Sequence, residues 1–262
     1  MVPESIVAGA AGMKVQIRDL GFGYRGETTE TIVLSHLDLE VESGSVHAVV
    51  GPNGCGKSTL LRIVAGLEKP TTGRVEFIGR QTHEKKTALV FQDPRLLPWW
   101  TVERNIAIGA EFSEKPDEMY QKIRDFHTKR MGLGRVRAQK PETLSLGQQT
   151  MAGLGRGIAH DAEVLLLDEP FAHLDAINRR KLHEEFETHW QLDPRTILLV
   201  THDVDEAIIL ADRVSVMRDG PGPLVDTIEV DTERPRVGIS PTHPGLRAAS
   251  SWVWDALERG RR

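Results

Sequence analysis

Alternating apolar and polar residues open the chain. Met13–Leu20 reads M-K-V-Q-I-R-D-L, and Ile32–Val41 repeats the alternation, which is typical of strands with one buried face. Ser45–Val50 is mostly apolar and β-branched, and it predicts a fully buried strand. Thr59–Gly66 has the apolar spacing of a helix that stops at its glycine. The opening therefore predicts antiparallel strands that lead into a strand–loop–helix unit.

The rest of the chain alternates between strand and helix patterns. The further predicted strands are Arg74–Ile78, Thr87–Phe91, Glu163–Asp168, Thr196–Val200, Arg213–Met217 and Leu224–Val230. The predicted helical stretches run from Thr101 to about His160, over Asp175–Trp190 and Val204–Ala211, and through a last helix with Trp252, Trp254 and Leu257. Short apolar strands separated by helices predict an α/β protein with a mainly parallel sheet.

Two features of the helical stretch need an account. Pro116 opens one predicted helix, with Met119, Ile123 and Phe126 on one apolar face. Ser145 stands at the start of another, where its side chain can cap the first turn. Three glycines lie within that second helix, and close packing against a neighbour is the expected reason; they are Gly153, Gly155 and Gly157.

A glycine-rich loop separates the predicted buried strand from its helix. It reads G-x-x-x-x-G-K-S and consists of Gly51, Pro52, Asn53, Gly54, Cys55, Gly56, Lys57 and Ser58. Glycines let backbone N–H groups approach a phosphate, and the helix N-terminus adds partial positive charge. Lys57 can bridge the β- and γ-phosphates, and the Ser58 hydroxyl can ligate Mg²⁺. A chance glycine-rich turn is the alternative, but spacing and context both favour phosphate binding.

Two acids end the predicted strand Glu163–Asp168. Ligands collect at the carboxyl edge of open α/β sheets, where Asp168 can hold Mg²⁺ or its water and Glu169 can polarise an attacking water. One acid alone would often be a solvated strand end, but the upstream loop favours a site. His202 follows the strand Thr196–Val200. Taken alone it would more often be structural, yet its position lets it reach a γ-phosphate or orient Glu169.

Aromatic residues mark two loops. Tyr24 can stack on a purine base or pack on the core, and composition alone favours packing. Trp99 and Trp100 stand beside Pro94 and Pro98, so they do not all fit inside regular structure. They suggest an exposed docking surface, and a buried loop anchor is equally compatible.

Composition narrows the class of protein. The chain has 262 residues and a net charge of −5, which argues against a nucleic-acid partner. Cys55 is the single cysteine, so an internal disulfide is impossible and a reducing cytoplasm is expected. No apolar run approaches the ~20 residues that span a bilayer. Residues 1–12 lack a basic flank and are expected to form a flexible N-terminus rather than a secretory signal.

Six motifs stand in one order along the chain. They are the glycine-rich loop, Gln92, Leu144–Gln148, Asp168-Glu169, Leu174-Asp175 and His202. In this the sequence resembles the ATPase subunit of an ABC transporter, over about residues 13–230. The resemblance implies a P-loop NTPase with a RecA-like core, an N-terminal antiparallel β subdomain and an inserted α-helical subdomain at about 93–160. It implies an ATPase domain over 13–232 and a C-terminal tail with a short helix over 233–262.

The resemblance also assigns roles to residues. The implied catalytic residues are Glu169, His202 and Gln92. The implied ATP-binding residues are Tyr24, Gly51, Pro52, Asn53, Gly54, Cys55, Gly56, Lys57, Ser58, Thr59, Ser145, Gly147, Gln148 and Asp175. The implied Mg²⁺ ligands are Ser58, Gln92 and Asp168. Tyr24 falls where the family has an adenine-stacking aromatic, which reverses the preference for core packing.

A dimer is implied in the same way. Two subunits would enclose two ATP molecules, with the Ser145–Gln148 signature of one facing the γ-phosphate held by Lys57 of the other. The family signature is L-S-G-G-Q, whereas Leu146 replaces the first glycine here. We expect the dimer to form but to close less tightly.

Within the superfamily, Leu96–Trp99 followed by Thr101, Val102 and Asn105 resembles importers of nitrate, sulfonates and taurine. This implies a membrane permease docked near Gln92–Trp100, a solute-binding protein acting indirectly, and a peripheral location on the cytoplasmic face of the membrane. Two alternatives stay open. One is a soluble ABC ATPase acting on DNA or ribosomes, although no sustained heptads lie between Lys57 and Ser145. The other is a regulatory subunit that no longer hydrolyses ATP.

Overall fold

The computed structural model describes residues 12–25, 30–79, 87–108, 117–160, 162–172, 174–192, 194–240 and 242–261. Most of the predicted N-terminal tail and the predicted helix start at Pro116 lie outside these residues. The side chains of Met119, Ile123 and Phe126 also lie outside the description, so their predicted common face stays a prediction.

The elements follow the predicted order. The strands are β1 Lys14–Arg25, β2 Glu30–Val41, β3 Val46–Val50, β4 Thr72–Ile78, β5 Thr87–Val90, β6 Val164–Asp168, β7 Thr196–Thr201, β8 Arg213–Val216 and β9 Asp226–Glu229. The helices are α1 Lys57–Val64, α2 Val102–Ile106, α3 Asp117–Arg130, α4 Leu146–Ala159, α5 Ala176–Leu192, α6 Val204–Leu210 and α7 Pro244–Gly260. Two 3₁₀ turns, Gly134–Val136 and Pro141–Thr143, lie between α3 and α4.

Two sheets form the framework. The first has the order β2-β1-β4 and is antiparallel, as the alternation of the opening predicts. The second has the order β5-β6-β7-β3-β8-β9 and is parallel except for β9, which pairs antiparallel with β8. The predicted fold class is confirmed: this is a P-loop α/β protein with an added antiparallel sheet.

The central strands are buried on both faces. In β3, Val46, Ala48 and Val50 pack on the side of the helices α4, α5 and α6. Val49 points to the opposite side, into a second apolar cluster that the antiparallel sheet shares with α1. Successive side chains of a strand point to opposite faces, so a strand covered on both sides must be apolar throughout. The parallel pairing of β3, β6 and β7 brings their carboxyl ends to one edge of the sheet.

Helices α2, α3 and α4 fill the connection from β5 to β6. They pack on one another, and α4 also packs on β5. A Cβ at Gly157 would lie 2.7 Å from Val90 Cγ2, and one at Gly155 would lie 2.6 Å from Met131 Cγ. A Cβ at Gly153 would lie 3.1 Å from Pro94 Cβ. Close packing is therefore confirmed as the reason for the three glycines in α4.

Gly12 and the C-terminal helix pack against the rest of the structure. Gly12, the last residue of the predicted flexible N-terminus, is buried, and a Cβ there would lie 2.4 Å from the Glu163 carbonyl oxygen. The C-terminal segment contains the 17-residue helix α7, which buries Leu246 and Val253 against the main core. Gly12 and α7 thus belong to the packed part of the structure.

Candidate nucleotide-binding site

The glycine-rich loop joins β3 to α1. Gly54 and Gly56 have φ of 84° and 104°, values that favour glycine. A Cβ at Gly56 would also lie 2.7 Å from Leu34 Cδ2 of the antiparallel sheet. Because Gly56 has no side chain that could cap α1, the N–H groups of the first turn stay available to a ligand. The loop therefore has the backbone form that phosphate binding requires.

Lys57 is the first residue of α1 and is 5% exposed. Its Nζ donates to the carbonyl oxygens of Gly51 at 2.9 Å and Pro52 at 3.0 Å. It also lies 3.5 Å from Glu169 Oε1. A buried ammonium group is thus held inside the loop with a carboxylate beside it, ready to exchange these partners for phosphate oxygens.

Ser58 and Asp168 meet although they are 110 residues apart. The Ser58 hydroxyl donates to Asp168 Oδ1 at 2.9 Å. Burial raises the pKa of the Asp168 carboxyl, and the hydrogen bond from Ser58 opposes that rise. A hydroxyl and a carboxylate together supply the oxygen ligands that Mg²⁺ prefers, so these residues fit that ion.

Glu169 stands next to Asp168 in an unusual backbone conformation. Its φ is 44°, in the left-handed region that non-glycine residues seldom occupy. Its N–H donates to the Val200 carbonyl at 2.9 Å, and its Oε2 lies 2.7 Å from His202 Nδ1. Strain of this kind persists where neighbouring structure fixes the residue, often at functional sites. The ends of β6 and β7 therefore form one carboxylate–imidazole pair.

A cleft of ≈ 530 Å³ opens above these groups. Its lining comprises Tyr24, Val33, Asn53, Gly54, Gly56, Lys57, Ser58, Thr59, Gln92, Glu169, Ala172 and His202. Tyr24 is 40% exposed, packs edge-on against Phe22 at 4.9 Å, and has its hydroxyl 3.4 Å from Thr59 Oγ1. One ring face is thus free to contact a ligand at the rim.

Sequence reasoning missed part of this lining. Val33 on β2 and Ala172 after β6 face the cleft, although neither belongs to a recognisable motif. Val33 carries no local signal because its role depends on the antiparallel sheet packing over the loop. The contact between Leu34 and Gly56 is of the same long-range kind.

The two tryptophans after Gln92 divide between the two alternatives that the sequence left open, an exposed surface and a buried anchor. Trp99 is 65% exposed, whereas Trp100 is half-buried with the Arg104 guanidinium 4.1 Å above its ring. Asn105, fully buried, holds the loop by accepting from Leu97 N at 2.7 Å and donating to Leu97 O at 3.1 Å. Trp99 alone forms the predicted apolar knob, since Trp100 packs against the loop itself.

The remaining predicted ligands lie away from this cleft in a single chain. Ser145 caps α4 as predicted: its Oγ accepts from Gln148 N at 3.3 Å, and Gln148 Oε1 accepts from Ser145 N at 3.0 Å. Leu146 begins the helix with 43% exposure. Asp175 caps the start of α5 by accepting from the N–H groups of Ile177 and Asn178. The cleft lining given above includes none of these residues, namely Ser145, Leu146, Gly147, Gln148 and Asp175.

A strand–loop–helix phosphate cradle, with a serine–aspartate pair and a glutamate at the adjacent strand end, defines a P-loop nucleoside triphosphatase. Residues 34–172 match the family model described as ABC transporter, and the chain belongs to the ABC transporter family. It is an ATP-binding subunit that hydrolyses ATP to power import, which confirms that prediction over the soluble and regulatory alternatives.

Similar proteins include ATP-binding proteins named for import or transport and a solved cassette structure. The chain is 36% identical over 242 residues to the aliphatic sulfonates import ATP-binding protein SsuB of Bacillus licheniformis, covering 90% of this chain and 91% of that one. It is 40% identical over 219 residues to the bicarbonate transport ATP-binding protein CmpC of Synechococcus elongatus, covering 82% of this chain and 33% of that one. A dimeric ATP-binding cassette in a post-hydrolysis state, bound to ADP and Pi, superposes with a TM-score of 0.72 at 25% identity, over 84% of this chain and 100% of that one.

Among the described residues, no helix is both long and apolar enough to cross a membrane.

Proposed function

We propose that Glu169 orients the water that attacks the γ-phosphate of ATP, and that His202 holds Glu169 in place. The observation that carries this is the position of Glu169, strained at φ 44° between Lys57 at 3.5 Å and His202 at 2.7 Å. An acceptor beside the phosphate-binding lysine is where an in-line nucleophile needs its proton partner.

The other cleft residues divide the remaining tasks. Lys57 and the N–H groups of Gly54 and Gly56 bind phosphate oxygens and offset charge that develops during transfer. Ser58 and Asp168 would hold Mg²⁺, together with Gln92 from the cleft lining, and the ion would supply further charge neutralisation. Tyr24 stacks on adenine.

Ser145, Gly147, Gln148 and Asp175 act in a second subunit's site under this proposal. They lie outside the cleft of their own chain, and Ser145 stands at a helix N-terminus that can face an anion. A homodimer with ATP between the subunits gives them that anion. The similarity to a dimeric cassette supports this arrangement.

Trp99 supplies the contact to a membrane permease. Trp99 is an exposed aromatic in a loop that Asn105 holds by hydrogen bonds. The loop follows Gln92, which lines the cleft. A rigid exposed aromatic is a suitable interface anchor. The subunit would lie on the cytoplasmic face of the membrane. The imported solute would be a small anion, since relatives are named for import of aliphatic sulfonates and transport of bicarbonate.

Phosphate release from Mg-ATP tests the role of Glu169. We expect Glu169→Gln to lower kcat by about 100-fold or more, because the amide is a poor proton acceptor. Glu184→Gln is the matched control, since Glu184 lies exposed on α5 and pairs with Arg180 at the surface. Equal rates for the two variants would contradict the proposal.

A further inference from the structure

Arg179 joins two loops that approach the cleft from different strands. It lies on the first turns of α5, and its Nη1 donates to Asp203 Oδ2 at 2.6 Å. Its Nη2 donates to the Leu174 carbonyl at 3.0 Å. The planar guanidinium thus bonds at once to the segment after β6 and to the segment after β7, a geometry that suits its fixed fork of donors.

Asp203 anchors His202 from its C-terminal side. Its Oδ1 accepts from the N–H groups of Asp205 and Glu206, which caps α6, and its own N–H donates to Thr201 Oγ1 at 3.0 Å. The His202 side chain is 48% exposed, so packing does little to hold it. The backbone on either side must therefore fix where the imidazole points.

Two backbone hydrogen bonds link Leu174 back towards Glu169. The N–H of Leu174 donates to the Phe171 carbonyl, and the N–H of Ala172 donates to the Glu169 carbonyl. Phe171 is fully buried and makes this turn rigid. The bond from Arg179 to the Leu174 carbonyl consequently ties the Glu169 segment to the His202 segment, behind the 2.7 Å contact of their side chains.

We propose that Arg179 is a positioning residue for ATP hydrolysis, which keeps His202 aligned with Glu169 by clamping Asp203 to the turn that follows Glu169. This inference rests on the proposed roles of Glu169 and His202. Arg179 does not line the cleft and acts only through these neighbours. Without it, Asp203 still caps α6, but the two segments lose their shared donor and His202 samples more orientations.

The first test compares Arg179→Gln with Arg180→Gln. Arg180 is the matched control because it is next along α5 and pairs with Glu184 at the exposed surface. We expect Arg179→Gln to lower kcat about 10-fold with the KM for Mg-ATP changed less than about two-fold, and Arg180→Gln to match wild type. Equal kcat for the two variants would overturn the proposal.

A double-mutant cycle with His202→Ala separates positioning from general stability. If Arg179 acts through His202, Arg179→Gln causes no further loss of kcat in the His202→Ala background. A purely structural arginine would cause the same fractional loss in both backgrounds, and that result would overturn the proposal. Should Arg179→Gln not fold, Arg179→Lys enters the same cycle, since lysine keeps the charge beside Asp203 but lacks the fork that reaches Leu174.

The single variant His202→Ala in this cycle tests the proposed role of His202 independently of Arg179. If His202→Ala alone retains full kcat, the role of His202 is wrong, and the Arg179 proposal falls with it. If His202→Ala loses activity while Arg179→Gln does not, only the Arg179 proposal is overturned.

Discussion

Two glutamates, Glu169 and Glu206, differ in their environments and therefore in their expected protonation. Glu169 opens onto the cleft and contacts Lys57 and His202. Glu206, on α6, is 2% exposed and has one described partner, the Thr201 hydroxyl, at 3.1 Å. Burial raises the pKa of Glu206 to about 8, with the charge of Asp203 adding to the rise. The folded protein therefore keeps Glu206 protonated at neutral pH.

The raised pKa of Glu206 predicts how the free energy of unfolding depends on pH. The pKa of Glu206 rises from its usual value of 4.5 to about 8 on folding, so the folded state holds a proton that the unfolded state releases. The contribution of this proton is complete below the unfolded pKa and is lost as pH rises through the folded pKa. Between pH 4.5 and 8 the free energy of unfolding should fall, relative to Glu206→Gln, by up to about 1.4 kcal/mol per pH unit.

Urea denaturation of both proteins from pH 5 to 9 measures that difference. The groups that face Glu206, namely Asp203, Arg179 and Glu169, are present in both proteins, so their titration largely cancels. Parallel curves for wild type and Glu206→Gln would show that Glu206 is ionised in the folded state.

The positions of the candidate site residues were largely readable from the sequence, and their roles stay predictions. Lys57, Ser58, Asp168, Glu169 and His202 were identified from motif and strand position, and the structure brings all five around one cleft. What could not be read was orientation. The stacking of Arg104 on Trp100 depends on how Asn105 folds the loop, so the sequence left open whether the two tryptophans are exposed or buried.

At the scale of elements, α4 shows how packing overrides helix propensity. Glycine costs a helix interior up to about 1 kcal/mol relative to alanine. Gly157 is nevertheless required, because a Cβ there would lie 2.7 Å from Val90 Cγ2 and 3.0 Å from Leu165 Cδ1. Val90 lies in β5 and is stiff at χ1, so it has little room to move.

We therefore expect Gly157→Ala to destabilise the protein by about 1–3 kcal/mol despite its better propensity. Gly147→Ala serves as the control within the same helix. A Cβ at Gly147 would lie 3.9 Å from Leu182 Cδ1, an ordinary van der Waals distance. Thermal unfolding of both variants checks this. A Gly157→Ala protein as stable as the control would mean that α4 packs less closely on β5 than the structure shows.

Element types were predicted better than their ends. The alternating and apolar periods specify strands and helices, but caps and close contacts decide where each one stops. The helix predicted from Thr59 begins at Lys57, because Gly56 turns the chain immediately before it. The stretch 101–160, predicted as broadly helical, contains a five-residue helix and two 3₁₀ turns besides α3 and α4. Short turns of that kind have no apolar period to reveal them.

At the scale of the whole molecule, function depends on how two sheets meet. Parallel strands β6, β7 and β3 bring Asp168, Thr201 and Val50 to one edge, as register requires. The antiparallel sheet then adds Tyr24 and Val33 as the other wall of the cleft. The first arrangement follows from strand order and was predictable. The second depends on packing between sheets distant in sequence, and only Tyr24 was assigned to it, through family resemblance.

The central claim is that the loop Gly51–Ser58 and the acids Asp168 and Glu169 at the end of β6 bind one Mg-ATP in this cleft. Titration calorimetry with Mg-ATP on wild type, Lys57→Ala and the exposed-lysine control Lys181→Ala tests it most directly, with thermal melting to verify that each variant is folded. We predict clear heat of binding for wild type and Lys181→Ala, and affinity at least about 10-fold weaker for Lys57→Ala, since its charged hydrogen bonds to phosphate are lost. Absence of binding heat in the wild type, or equal affinity in all three proteins, would contradict the account.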